Sequence, residues 1–214
     1  MDALNIFKKL NNYCQAHSDA SDEILYQLER ETQLKTLAPQ MMCSPLQGQL
    51  LYFLSSMMQA DYLLEVGTFT GYASICMARG LADGGILHTI EVNRELEPFI
   101  RKYIRLASME DSIHLHIGDA KEVIPTLDAT FDMVFIDAGK QDNDFYYELL
   151  LDRVRPGGLL LIDNVLWSGK VLDPSYADED SLAIDAFNKK MKGDERVETL
   201  MLPIRDGLTI LRKK

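Results

Sequence analysis

The chain of 214 residues is poor in the side chains that mark several large classes of protein. It has three cysteines, Cys14, Cys43 and Cys76, with no paired spacing. That excludes a disulfide framework and a cysteine zinc site, and it fits a reducing compartment. It has no apolar run long enough to span a bilayer. The opening stretch MDALNIFKKLNNYCQAHSDA has neither a long apolar core nor a small-residue cleavage site, so no export signal is expected and a cytoplasmic location is. Basic residues are outnumbered, 22 to 33, for a net charge of −11. An acidic surface disfavours nonspecific contact with nucleic acid, although a local basic lobe is compatible with any net charge. There is no GxGxxG, which argues against a dinucleotide, and no GxxxxGK[ST], which argues against a phosphate loop.

What is there is ordinary globular composition, 47% hydrophobic and 26% charged. The first third reads as helices. Ser21 or Asp22 caps a segment running to about Leu37, and Ala38-Pro39 breaks it. Ser44-Pro45 reads as an N-cap followed by proline at the first helical position. From Asp61 short apolar runs alternate with helical stretches: YLLEV, GILHTIE, IHLHIG, FDMVFID and LLLID. VETLMLPIRDGLTILRKK follows as a hairpin around a tight Asp206-Gly207 turn. The pattern predicts an α/β fold with a doubly wound seven-stranded sheet. The sheet is mostly parallel, with an antiparallel C-terminal hairpin strand, plus N-terminal helices. One domain is expected over 1–214. Residues 1–43 form a helical cap or dimer region, and 44–214 form the core.

In such sheets ligands bind beyond the carboxyl ends of the strands. Each of those ends carries an acid: Glu65, Glu91, Asp119, Asp137 and Asp163. The turn EVGTFTGY lets a ligand approach the backbone, and the helix after Thr70 offers amides to an anion. Glu91 can accept from both hydroxyls of a ribose. Asp119 either caps AKEVIPTL or accepts from an adenine amine, or does both. A nucleoside with a carboxylate tail and no phosphate, S-adenosylmethionine, satisfies these three tips together. Asp137, Asp163 and Asn164 are hard oxygen donors suited to Mg²⁺ or Ca²⁺. Asp163-Asn164 would equally start a turn. Lys140 either faces the same ion and acts as a general base, or pairs at the surface with Asp142 or Asp144. His114 and His116 alternate along a strand and read as core or edge side chains. Trp167 either walls a substrate pocket or packs its own loop.

EVGTFTGY, the IE of 90–91, the GDA of 118–120, FIDAGK and GGLLLIDNVLWSG together resemble the cation-dependent O-methyltransferases. That family includes catechol and caffeoyl-CoA O-methyltransferases. The resemblance covers nearly all of residues 40–214. It implies a Rossmann-like core in which Asp137, Asp163 and Asn164 bind Mg²⁺, or another divalent cation such as Ca²⁺ or Mn²⁺, and Lys140 is the base. It implies a methyl-donor site around Met42, Cys43, Glu65, Gly67, Thr68, Gly71, Tyr72, Ala73, Glu91, Asp119, Ala120 and Asp137. It also implies a homodimer acting on a catechol-like small molecule. Two departures stand out: Ala73 replaces the family's usual serine, and Gly139 replaces its usual acid. Relatives that methylate a hydroxylated uridine in tRNA give an alternative, with Lys8, Lys9, Arg101, Lys102 and Arg105 as a basic lobe. A donor-binding regulator without activity is a third.

Overall fold

The computed structural model describes residues 3–19, 21–173, 175 and 178–214. Helices α1 (Ala3–Ala16), α2 (Glu23–Lys35) and α3 (Pro45–Met58) come first. The Asp22 carboxylate accepts from the Leu25 amide at 2.9 Å and starts α2. The Ser44 hydroxyl accepts from the Gln47 amide at 3.3 Å and starts α3, with Pro45 at its first position. Both caps satisfy amides that a helix leaves without internal partners. A 3₁₀ turn at Pro39–Met41 separates the two helices.

The alternating part then runs β1 (Tyr62–Val66), α4 (Tyr72–Ala78), β2 (Ile86–Glu91), α5 (Glu97–Leu106), β3 (Ile113–Ile117) and α6 (Ala120–Val123). It continues through β4 (Phe131–Ile136), α7 (Asn143–Leu151), β5 (Val154–Asp163), α8 (Glu179–Gly193), β6 (Val197–Leu202) and β7 (Leu208–Lys213). The strands form one seven-stranded sheet, as the sequence predicts, and its order is β3-β2-β1-β4-β5-β7-β6. The first five are parallel, and β7 pairs antiparallel with both β5 and β6.

The apolar runs are continuous because both faces of the sheet are covered. Leu63, Met133, Phe135 and Leu161 pack with Leu28, Leu51, Ile75 and Ile100 of α2 to α5. Their neighbours Leu64, Val134, Ile136 and Leu160 point the other way, against Tyr147, Leu150, Phe187 and Met191 of α7 and α8. In contrast, Ile6, Leu10 and Tyr13 of α1 are exposed. No helix among the described residues is long and apolar enough to cross a membrane.

One expectation needs correction. The hairpin does not bend on a two-residue Asp206-Gly207 turn. Leu202 pairs with Leu208, leaving 203–207 as a longer loop. Its tight part is closed by Gly207 donating to the Ile204 carbonyl at 2.9 Å. Gly207 serves a different need: a Cβ there would lie 2.4 Å from Leu166 Cγ, and its φ is +90°. The glycine lets this loop lie directly on the segment after β5.

Candidate active site

The strand order reverses between β1 and β4, and the tips of the parallel strands open there onto one cavity of about 1820 Å³. Gly67, Glu91, Asp119, Ala120, Asp137, Lys140 and Asn164 all reach its wall. A narrow cleft of about 10 Å³ adjoins it, walled by Met42, Cys43, Glu65, Thr68, Tyr72 and Ala73, and it shares Gly67 and Asp137 with the cavity. Of the expected site residues, Gly71 and Asp163 line neither space.

The turn after β1 is shaped by contact with β4. Gly67 has φ +99°, and a Cβ on it would lie 2.3 Å from the Asp137 carbonyl oxygen. Glu91 fixes the same turn from the next strand. Its two oxygens accept from the amides of Phe69 and Asn93, each at 2.8 Å. The Phe69 amide that could have met an anion is thus already used. Asp119 does cap α6, accepting from the Lys121 amide at 2.9 Å, and its side chain still borders the cavity.

Glu65 is fully buried. Its Oε2 accepts from the hydroxyls of Ser74 and Thr89, the latter at 2.6 Å, and its Oε1 has no hydrogen-bond partner. Burial pushes its carboxyl up to about 8, against the pull of those two hydroxyls. Ser74 therefore points inward and does not replace the hydroxyl that Ala73 lacks. The Tyr72 hydroxyl is likewise turned away, 2.8 Å from Ser21 Oγ.

At the β4 tip Lys140 Nζ donates to Asp137 Oδ1 at 2.9 Å. Asp142 and Asp144, the surface alternatives, are engaged by Lys121 and Lys190 instead. At the β5 tip Asp163 is wholly buried. Its Oδ1 accepts from the Asn164 amide at 2.9 Å, and its Oδ2 accepts nothing. Burial and the Asp137 carboxylate both push its carboxyl upward, while the nearby Gln47 amide opposes them. The Gln47 contact closes no hydrogen bond, because both amide atoms of this buried side chain stand unpartnered. Two adjacent carboxylates, one with a buried orphan oxygen, beside the Asn164 amide form a donor set for a hard divalent cation. No group of three or more His, Cys, Asp or Glu able to hold a metal is found among the described residues, so an amide has to complete any such site.

Asn164 adopts φ +61°. The loop before β7 holds that bend in place. The Val165 amide donates to the Gly207 carbonyl at 3.3 Å and the Leu166 amide to the Asp206 carbonyl at 2.9 Å. The Ser168 amide donates to the Asp206 carboxylate. Trp167 lines the cavity, which is the pocket-wall reading of that residue. The sequence did not single out Phe69, Gln47 or Arg205. Phe69 sat inside a motif already noticed; the other two matter only through long-range packing.

His114 and His116 lie far from these tips in role. They cluster with His88 on β2 and β3, with His88 Nδ1 3.0 Å from His116 Nε2. The suggested basic lobe is largely neutralised: Arg101 pairs with Glu97 at 2.8 Å, Arg105 with Glu110 at 3.3 Å, and Lys102 with Glu31.

Comparison with known proteins adds independent findings. The O-methyltransferase family model matches residues 15–214. A Dictyostelium discoideum protein named "probable caffeoyl-CoA O-methyltransferase 1" is 35% identical over 208 residues, 94% of this chain and 90% of its own length. An O-methyltransferase of Streptomyces achromogenes involved in tomaymycin synthesis was solved in complex with SAM. It superposes with a TM-score of 0.90 at 31% identity, covering 100% of both chains. A Bacillus cereus O-methyltransferase solved with SAH gives a TM-score of 0.88 at 29% identity, covering 96% and 97%. Sequence match over most of the length and a shared fold lead to one assignment: this chain belongs to the O-methyltransferase family.

Proposed function

We propose that this chain transfers the methyl group of S-adenosylmethionine to a hydroxyl of a catechol-like small molecule, with Lys140 as general base. The observation that carries the reading is the pairing, on one cavity, of a hydrogen-bonded acidic shelf with an unsatisfied one. Glu91 and Asp119 border the first and Asp137, Lys140 and Asn164 the second, with the Asp163 orphan oxygen buried behind. The SAM and SAH bound in the related structures support the donor assignment. The caffeoyl-CoA name of the Dictyostelium relative supports a small catecholic acceptor.

The donor would lie over Gly67, with its ribose at Glu91, its adenine near Asp119 and Ala120, and its methionine end toward the Glu65–Ala73 cleft. Asp137, Asp163 and Asn164 would hold Mg²⁺, or Ca²⁺ or Mn²⁺ in its place. Such an ion would supply a positive charge that lowers the cost of ionising an acceptor hydroxyl and disfavours the proton on Lys140. Lys140 Nζ takes the proton of the hydroxyl to be methylated. The freed oxygen then bonds to the methyl carbon as the methyl–sulfur bond breaks, leaving a methyl ether and S-adenosylhomocysteine. Base catalysis of this kind contributes on the order of 10²–10⁴ in rate. Alignment of oxygen, methyl and sulfur by the two shelves supplies more.

We keep with this reading a cytoplasmic homodimer joined through the 1–43 region. The exposed Leu10, Tyr13 and Leu34 support a contact there. The tRNA alternative is weakened by the ion pairs that occupy Arg101, Lys102 and Arg105.

The test is methyl transfer to caffeate or 3,4-dihydroxybenzoate with Mg²⁺, then with EDTA. Turnover that EDTA abolishes and Mg²⁺ restores is expected. Turnover indifferent to EDTA would remove the metal from the reading. Absence of turnover with the donor bound would remove the catecholic acceptor.

A further inference from the structure

Three consecutive residues of the turn after β1 are each held by a group outside it. The Thr68 hydroxyl lies 2.5 Å from that of Thr89, the Phe69 amide donates to Glu91 at 2.8 Å, and the Thr70 hydroxyl accepts from the Thr32 hydroxyl at 3.1 Å. The turn needs holding. Gly67, Phe69 and Gly71 have φ of +99°, +51° and +88°, and for Phe69, which carries a side chain, that conformation costs free energy. The first two holds come from β2 and lie within the sheet. The third comes from the last turn of α2, 38 residues earlier in the chain.

Docking of α2 does not depend on the Thr32 hydroxyl. Leu25 and Leu28 pack into the core shared with α4 and α5. Asp22 pairs with Arg79, Glu31 pairs with Lys102, and the Tyr103 hydroxyl donates to the Gln27 carbonyl at 3.1 Å. Thr32 and Thr70 are both fully buried, where a pair of apolar side chains would pack without any hydroxyl to satisfy. Apolar packing has no direction, whereas a hydrogen bond has a preferred distance and angle. What the hydroxyl pair adds is a fixed place for Thr70. Thr70 borders the narrow cleft toward which the methionine end of the donor is placed, beside Thr68, Phe69 and Tyr72. Tyr72 is tied to the same part of the chain, its hydroxyl 2.8 Å from Ser21 Oγ just before α2. Both ends of one helix thus reach the wall of this cleft.

We infer that Thr32 is a positioning residue for the methyl donor: through Thr70 it fixes the turn of residues 67–71, so that the cleft takes its donor-binding shape only with α2 docked. This rests on the donor reading above. It gives the helical segment before the sheet a part in donor binding, separate from any contact between copies of the chain.

The test reads donor affinity by calorimetric titration of S-adenosylhomocysteine, which needs no acceptor, alongside Tm, kcat and the KM of donor and acceptor. Thr32→Val is expected to weaken S-adenosylhomocysteine binding about fivefold, the size of one lost neutral hydrogen bond. The donor KM should rise with it, while the acceptor KM and kcat at saturating donor stay as in the native protein. Thr32→Ser keeps the hydroxyl and should bind within about twofold of native. Thr32→Val combined with Thr70→Val leaves neither hydroxyl orphaned, so its Tm should return toward the native value while donor affinity stays low. Unchanged donor affinity in Thr32→Val would overturn the inference, whatever its Tm. Equal weakening in Thr32→Ser and Thr32→Val would trace the effect to packing of the methyl group and overturn it as well. Donor affinity that recovers with Tm in the double variant would make the hydroxyl pair a structural contact only. If the native protein binds no S-adenosylhomocysteine, the donor reading itself falls and takes this inference with it.

Discussion

The two halves of the cavity treat their acids differently. On the β1–β3 side the carboxylates are tied to the chain: Glu91 holds two amides, Asp119 one, and Glu65 two hydroxyls through one oxygen, its other oxygen being unpartnered. On the β4–β5 side Asp137 has the Lys140 ammonium, and Asp163 has an oxygen with nothing bound to it. The first half is a preorganised shelf whose shape exists before any ligand arrives. The second is electrostatically incomplete, and its buried charge is a cost until something positive joins it. A methyl donor is one molecule that a fixed shelf can fit. The acceptor and metal of the proposed reading would need a half that is not already satisfied.

The sharpest way to separate the halves is to damage one and read the other. Lys140→Ala is expected to lower kcat/KM about 10³-fold, within the range of a lost general base. Its affinity for S-adenosylhomocysteine, measured by calorimetry, should stay within about twofold. A fall in donor affinity comparable to the fall in rate would mean that the halves are not separate. Asp163→Ala should reduce turnover about 10²-fold at saturating Mg²⁺, again with donor affinity retained. Unchanged turnover would take Asp163 out of the site.

The smallest effect concerns the donor shelf and pH. The Glu65 carboxyl is raised by burial from its usual 4.5 to about 8, so the folded protein binds a proton that the unfolded chain has lost over that range. Stability of the ligand-free protein from this group is full below 4.5 and is lost as pH rises through about 8. Glu65→Gln should flatten that part of a Tm-against-pH curve. A native curve with the same slope as the variant would show that Glu65 stays charged in the fold.

The sequence made some of this legible because the signals were local. Asp22 and Ser44 could be read as caps from their own neighbours, and the caps form. The acids at the strand ends could be read because a parallel sheet aligns those ends. The roles of Gln47 and Arg205 were not legible. An orphan amide, and a guanidinium that joins Gln40 to Asp163, are properties of which distant groups do or do not reach them. Asp206-Gly207 misled for a related reason: the pair looks like a hairpin bend, whereas its glycine answers to Leu166 across the loop. Ala73 was correctly seen to lack a hydroxyl, but only the geometry reveals that Ser74 is committed to Glu65.

The clamp of residues 206–207 on residues 165–168 bears on how the enzyme is made. The Glu65, Glu91 and Asp119 ends all lie within residues 62–120, while the wall that carries Asn164 and Trp167 is braced by the later loop of residues 203–207. β7 then slots between β5 and β6, so β6 joins the sheet only through β7. A nascent chain that has not yet released Ile204 already contains the whole donor shelf but none of the brace for Asn164 and Trp167. Asn164 and Trp167 therefore gain their brace only once the 203–207 loop has folded back onto them.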